Sequence, residues 1–98
     1  MNNIYFFGGG KLMASIIDAI NKNEYKKKFK QYVFTSARHS KEEISQKLNL
    51  KQYLLKNKIQ FEIINKIDKK IKNKIRKNSI GVSFGSAWIF KSEFIKIF

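Results

Sequence analysis

The chain has 98 residues, 43% of them hydrophobic and 14% aromatic, and 21 Lys and Arg against 7 Asp and Glu give a net charge of +14. That is one small domain, or part of a larger one, with enough apolar material to offset its ordering entropy by burial, which argues against disorder despite the charge. No Cys is present, which excludes a disulfide framework and a thiolate zinc site, and a lone His, His39, excludes a His-rich metal site.

Asn3-Ile4-Tyr5-Phe6-Phe7 is a short run of β-branched and aromatic residues and predicts a buried strand. It ends at Gly8-Gly9-Gly10, a sharp turn. Leu12, Met13, Ile16, Ile17 and Ile20 recur at helical spacing, which predicts an amphipathic helix from Lys11 to Lys22. Asn23 to Lys30 is a polar, Lys-rich loop, and Gln31-Tyr32-Val33-Phe34-Thr35 is a second strand. Ser36 to Ser40 reads as a loop with His39 exposed in it. Ser40 is a good N-cap for a helix from Lys41, with Glu42 and Glu43 in its first turn, where carboxylates favour the helix dipole. Ile44, Leu48 and Tyr53 face inward from it, and Gln52 to Asn57 is ambiguous.

Ile59 to Ile64 is a third strand. Ile67, Ile71 and Ile75 then recur every four residues, which predicts a helix over Lys66 to Lys77 with one apolar stripe and a Lys-rich exposed face. Ser79 to Gly85 is a fourth strand, Ser86 to Phe90 a loop, and Lys91 to Phe98 begins a final helix.

Strands alternating with helices imply an α/β domain over residues 1–98: an open parallel sheet of four strands, with helices on its faces and right-handed crossovers. In the usual doubly wound order the fourth strand lies beside the first and is followed by further strands. Here one helix follows. The fourth strand is therefore expected at an exposed edge, with apolar Ile80, Val82 and Phe84, which is a pairing liability. A truncated domain, or one completed by a second chain, is the expectation. No apolar run reaches the ~20 residues of a membrane span. Met1-Asn2-Asn3 supplies no basic leader, so a soluble, cytoplasmic setting with no membrane is expected.

Of the 21 cations, 19 are Lys and only Arg38 and Arg76 are Arg. Lys, Ile and Asn together make up 43 of 98 residues, and all three have A/T-rich codons. Specific nucleic-acid readout favours the bidentate fork of Arg. Coding bias therefore explains the charge better than a dedicated nucleic-acid surface, although a basic nucleic-acid-binding protein stays open as an alternative.

Gly8-Gly9-Gly10-Lys11 sits between a strand and a helix N-terminus, where the backbone can approach a ligand and free N–H groups can meet an anion. Gly8 and Gly10 fit the first two positions of the dinucleotide fingerprint G-x-G-x-x-G, but Met13 holds the third. A plain structural turn is the competing reading. Arg38, after the second strand, would suit the 2′-phosphate of NADP in a nucleotide-binding module, against a solvated loop as the simpler account. Gly85-Ser86-Ala87-Trp88-Ile89-Phe90 follows the fourth strand. Trp88 and Phe90 would wall a flat heteroaromatic ligand, or else pack beneath the final helix. The carboxylates show no converging partners, and most read as surface charges among lysines.

Two segments, Ile4-Tyr5-Phe6-Phe7-Gly8-Gly9-Gly10-Lys11-Leu12 and Gly81-Val82-Ser83-Phe84-Gly85-Ser86-Ala87-Trp88-Ile89-Phe90, at this separation, resemble the N-terminal part of the folate-dependent formyltransferases. That family includes methionyl-tRNA formyltransferase and the sugar N-formyltransferases. The likeness covers nearly the whole chain but only the first half of the family's catalytic domain. It implies a Rossmann-like fold and transfer of a formyl group from 10-formyltetrahydrofolate to the amine of a nucleotide sugar or of initiator tRNA. It also implies that Gly85, Ser86, Ala87, Trp88, Ile89 and Phe90 line the pterin pocket, and that Gly8, Gly9, Gly10 and Lys11 lie near the amine substrate. The family's catalytic Asn, His and Asp have no counterpart here, and His39 lies in the wrong element to replace the His. Formyl transfer needs a base for the amine proton and a donor to the developing oxyanion. The expectation is that this chain alone is inactive and has no catalytic residue.

Overall fold

Successive residues of a strand point to opposite faces of its sheet, so Tyr5-Phe6-Phe7 supplies large side chains to two cores at once. Our computed structural model describes residues 3–22, 30–45, 47–66, 69–75 and 79–84. Its elements are β1 (Asn3–Gly8), α1 (Lys11–Asn21), β2 (Lys30–Thr35), α2 (Ala37–Lys41), β3 (Glu43–Ser45), β4 (Leu48–Asn49), α3 (Leu50–Lys56), β5 (Gln60–Ile63), α4 (Lys69–Lys74) and β6 (Ile80–Phe84).

The main sheet has four parallel strands in the order β5-β2-β1-β6. It is the open, Rossmann-like α/β sheet that the alternation of elements predicts, with β6, the fourth strand of the sequence reading, beside β1. On one face Ile4, Phe6 and Val33 pack with Met13 and Ile17 of α1 and Leu50 and Leu54 of α3. On the other, Tyr5, Phe7 and Phe34 pack with Ile71 and Ile75 from α4 and the residue after it. Met13, Ile17, Val33, Phe34, Leu50 and Leu54 have no exposed surface. Burial of each such side chain contributes about 1.5–3 kcal/mol.

The α1 helix buries a narrower stripe than its sequence implies. Met13 and Ile17 are fully buried and Ile20 packs partly on the core, but Leu12 is 66% exposed and Ile16 is at the surface. The α4 helix runs over Lys69–Lys74 rather than Lys66 to Lys77. Its Ile71 and the following Ile75 are buried as predicted, while Ile67 lies outside the described residues. So do the loop at 23–29, the segment 85–90 and the expected final helix over 91–98.

The segment between β2 and β5 departs from expectation. Ser36 to Ser40 is not a loop. Ser36 caps a short helix, its Oγ accepting a hydrogen bond from the His39 N–H at 3.1 Å. No helix starts at Lys41. Glu43 to Ser45 instead pairs antiparallel with Leu48 and Asn49 in a small hairpin, in which Lys47 adopts φ 58° and its N–H donates to Glu43 Oε1 at 2.9 Å. The helix comes later, at Leu50, under a reciprocal capping box. The Gln52 N–H donates to Asn49 Oδ1 at 2.8 Å, and the Asn49 N–H donates to Gln52 Oε1 at 2.9 Å. Ile44 and Tyr53 do pack partly on the core, as expected.

The α3 helix ends in a Schellman motif. The Ile59 N–H donates to Leu54 O at 3.0 Å and the Lys58 N–H to Leu55 O at 3.2 Å. Lys58 holds the left-handed position, with φ 57°. Leu54 and Ile59, both in the core cluster, close the motif with an apolar contact.

Candidate functional site at the carboxyl edge of the sheet

The chain leaves β1 toward β2 on one side, and β6 occupies the other side. That reversal of strand order falls at the carboxyl ends of β1 and β6, the place where open α/β sheets bind ligands. The register sets Phe7 beside Ser83 and Gly8 beside Phe84. One step further on, the Gly9 N–H donates to Phe84 O at 3.2 Å and ties the glycine turn to the end of β6.

The predicted residues Gly8, Gly9, Gly10 and Lys11 run from the last residue of β1 through the turn to the first of α1, and the two turn glycines are needed for different reasons. Gly10 has φ 95°, a conformation open to Gly and strained for other residues, and no atom lies within 4 Å of where its Cβ would be. Gly9 is needed for space. A Cβ there would stand 2.7 Å from His39 Cβ and 3.3 Å from Leu50 Cδ2. The middle glycine thus serves packing within the protein, while Gly10 faces open space.

Gly10 is also the N-cap of α1, with no side chain bonded to the first turn and no acidic residue in it. The first turn of such a helix offers unsatisfied N–H groups and the positive end of the helix dipole. Lys11 stands exposed at its start. The edge therefore favours an anionic or hydrogen-bond-accepting group. Ser15 Oγ donates to Lys11 O at 2.9 Å and fixes the first turn.

His39 corrects the sequence reading most clearly. It is buried, at 7% exposure, because α2 folds back over the glycine turn. Its Nε2 lies 3.3 Å from an Arg38 guanidinium nitrogen and 3.6 Å from Glu42 Oε1. Its Nδ1 is buried and makes no hydrogen bond among the described residues, and neither does the buried Thr35 Oγ1. Arg38 itself is exposed at the carboxyl end of β2. The signal for this arrangement is the Ser36-x-x-His39 cap, which turns residues 37–41 into a helix and swings His39 inward. The residues Gly85 to Phe90 lie outside the described ones.

Two tyrosines are perturbed elsewhere. Burial pushes the Tyr32 hydroxyl above its usual range, and the charge of Glu62 adds to the rise. Tyr53 is raised by burial first and by Asp18 second, while its hydroxyl donates to Ala14 O at 3.3 Å and pins α3 to α1. Glu62 pairs with Lys74 of α4. Among the described residues no group of His, Asp and Glu is placed to hold a metal ion, and no helix is long and apolar enough to cross a membrane.

No family model matches the chain, and comparison with curated proteins and with solved structures gives no significant match.

Proposed function

We propose that this chain is the folate-facing N-terminal part of a formyltransferase catalytic domain. The observation that carries the reading is the pairing of β1 with β6. The two segments that resemble the family, 4–12 and 81–90, contain neighbouring parallel strands joined by the Gly9 N–H to Phe84 O bond at 3.2 Å. The family's chemistry needs both segments at one crevice. In that chemistry the amine nitrogen attacks the formyl carbon of 10-formyltetrahydrofolate, the amine loses a proton, and N10 of the folate leaves and is protonated. The backbone of Gly85 to Phe90 would hold the pterin edge, and Gly8 to Lys11 would face the amine of a nucleotide sugar or of initiator tRNA. The catalytic Asn, His and Asp of the family are not among residues 1–98, so the activity proposed for this chain alone is cofactor binding without turnover.

The partner proposed is a second chain that adds beside β6. Among the described residues that strand forms one edge of the sheet, and its Ile80 is 49% exposed. Such an edge is a template for a further strand. Light scattering across a concentration series should show self-association or capture of a complementary chain.

Trp88 is the single Trp of the chain and reports on the proposed pocket directly. Titration of the full chain with 5-formyltetrahydrofolate should change Trp88 fluorescence saturably, with no formyl transfer to amines. Phe90→Ala should weaken that binding about tenfold, through loss of an aromatic contact and its buried area. Binding of NADP with none of folate would overturn the reading in favour of a nucleotide-binding module that uses Arg38. Binding of oligonucleotides that falls steeply with salt, again with no folate response, would favour a nucleic-acid protein.

A further inference from the structure

We propose that the amino edge of the sheet holds a second ligand site, which takes a planar aromatic ring bearing one anionic group. It lies at the opposite end of the strands from the glycine turn and does not depend on the folate reading. A cavity of about 350 Å³ opens there, walled by Tyr5, Tyr32 and Phe34 and rimmed by Lys30 and Lys74. That volume lies at the lower end of the range for small-molecule pockets.

The walls define the ring. Tyr32 and Phe34 are tilted with centroids 4.9 Å apart, and Tyr5 lies 6.2 Å from Phe34 and 6.3 Å from Tyr32. These three side chains share one face of the sheet because they sit at alternate positions of β2 and opposite them in β1. Tyr5 and Phe34 are buried and Tyr32 is half-buried, so they form a cavity wall rather than an open platform. Among the described residues, α4 is the helix on this face. Its six residues span about 9 Å, roughly half the length of the strands beneath it. Of the three rings Tyr32 presents the accessible surface at the cavity, with the buried Tyr5 and Phe34 stacked behind it.

The rim defines the charge. Lys30 opens β2, is exposed, and makes no ion pair among the described residues. Lys74 sits at the end of α4 and is already paired with Glu62. One of the two ammonium groups is thus neutralised and the other is unpaired among the described residues, which suits a single anionic group. Asn3 and Gln60 add amide groups at the same mouth. An apolar cavity with a few convergent polar groups is the usual form of a small-molecule site.

The full chain, titrated with benzoate and separately with phenyl phosphate while its aromatic side-chain NMR signals are followed, tests this. Saturable shifts of the Tyr5, Tyr32 and Phe34 rings are expected with at least one probe, and the stronger probe identifies carboxylate or phosphate as the anion. Benzamide, of the same shape but uncharged, should bind about tenfold more weakly, as should either probe to Lys30→Gln, since one charged hydrogen bond is lost. Lys51→Gln, at an exposed position of α3, should leave binding unchanged, and Lys30→Gln should leave the thermal midpoint unchanged. The site is refuted by an absence of saturable shifts on these rings, by equal binding of benzamide, or by undiminished binding to Lys30→Gln. Trp88 fluorescence reports on the folate reading separately, so the two proposals fail independently.

Discussion

His39 and Gly9 are packed so closely that His39 Cβ lies 2.7 Å from the place of any Cβ on Gly9. A contact between α2 and the β1–α1 turn thereby sets the shape of the carboxyl edge. His39 Cγ, at 3.0 Å, belongs to a ring that is itself buried, so neither partner has room to move aside.

Gly9→Ala should accordingly be costly, by about 1–3 kcal/mol, as for other overpacked positions. Gly10→Ala meets no atom of the described residues within 4 Å, so its penalty comes from the backbone at φ 95° and ψ 172° and should be about 1–3 kcal/mol. Urea unfolding of the two variants measures both. His39→Gly in the Gly9→Ala background should recover part of the first loss and none of the second.

Lys58→Gly should stabilise the protein. Lys58 carries the left-handed position of the α3 Schellman motif at φ 57°, which Gly adopts without a Cβ penalty. The gain expected is about 0.5–1 kcal/mol once the larger unfolded-state entropy of Gly is subtracted. A rise in the urea midpoint with an unchanged slope is the expected readout.

Leu54 and Leu55 are adjacent, yet Leu54 is fully buried and Leu55 is 60% exposed. Leu54→Ala should cost about 2–5 kcal/mol by leaving a cavity among Met13, Ile17 and Ile59, whereas Leu55→Ala should fall within about 0.5 kcal/mol of the parent. Equal effects in thermal unfolding would mean that α3 is rotated relative to the core.

Tyr32 ties stability to alkaline pH. Its folded-state pKa is raised, by burial first and by Glu62 second. The unfolded chain therefore loses that proton first, and the contribution of the neutral hydroxyl is fully present below about pH 10 and lost as pH rises through the folded-state value. Tyr53, raised in the same direction, acts with it. Tyr32→Phe should flatten the alkaline fall in stability, and tyrosinate absorbance should show one fewer late-titrating group. Glu62→Gln should move the Tyr32 titration down toward the ordinary range.

The four strands of the main sheet, α1 and the two-faced sheet were legible in the sequence because local patterns and tertiary burial agree there. Tyr5-Phe6-Phe7 and Tyr32-Val33-Phe34 carry large apolar groups on both sides, as buried parallel strands do. Residues 36–49 were not legible, because local signals compete. Ser40-x-x-Glu43 and Asn49-x-x-Gln52 both fit a helix start, and only the second is used. Ser40 is buried, with its hydroxyl donating to Ala37 O at 2.8 Å, so it is already committed to the preceding helix. Of the candidate site, the glycine turn was found from its residue types, but the role of His39 was not, since a lone His in a polar stretch has no periodicity to mark it.

By itself, the sequence determined the alternation of strands and helices, the order of the parallel sheet and the position of the glycine turn. Each follows from hydrophobic period, glycine placement and the handedness of crossovers, which act over short stretches of chain. Tertiary structure alone decided which cap starts α3, which side of α1 is covered, and that His39 is driven onto Gly9. It also set Lys30, unpaired among the described residues, beside a wall of three rings, with Lys74 held by Glu62. Those outcomes depend on contacts between residues distant in the chain, whose free energies no local pattern contains.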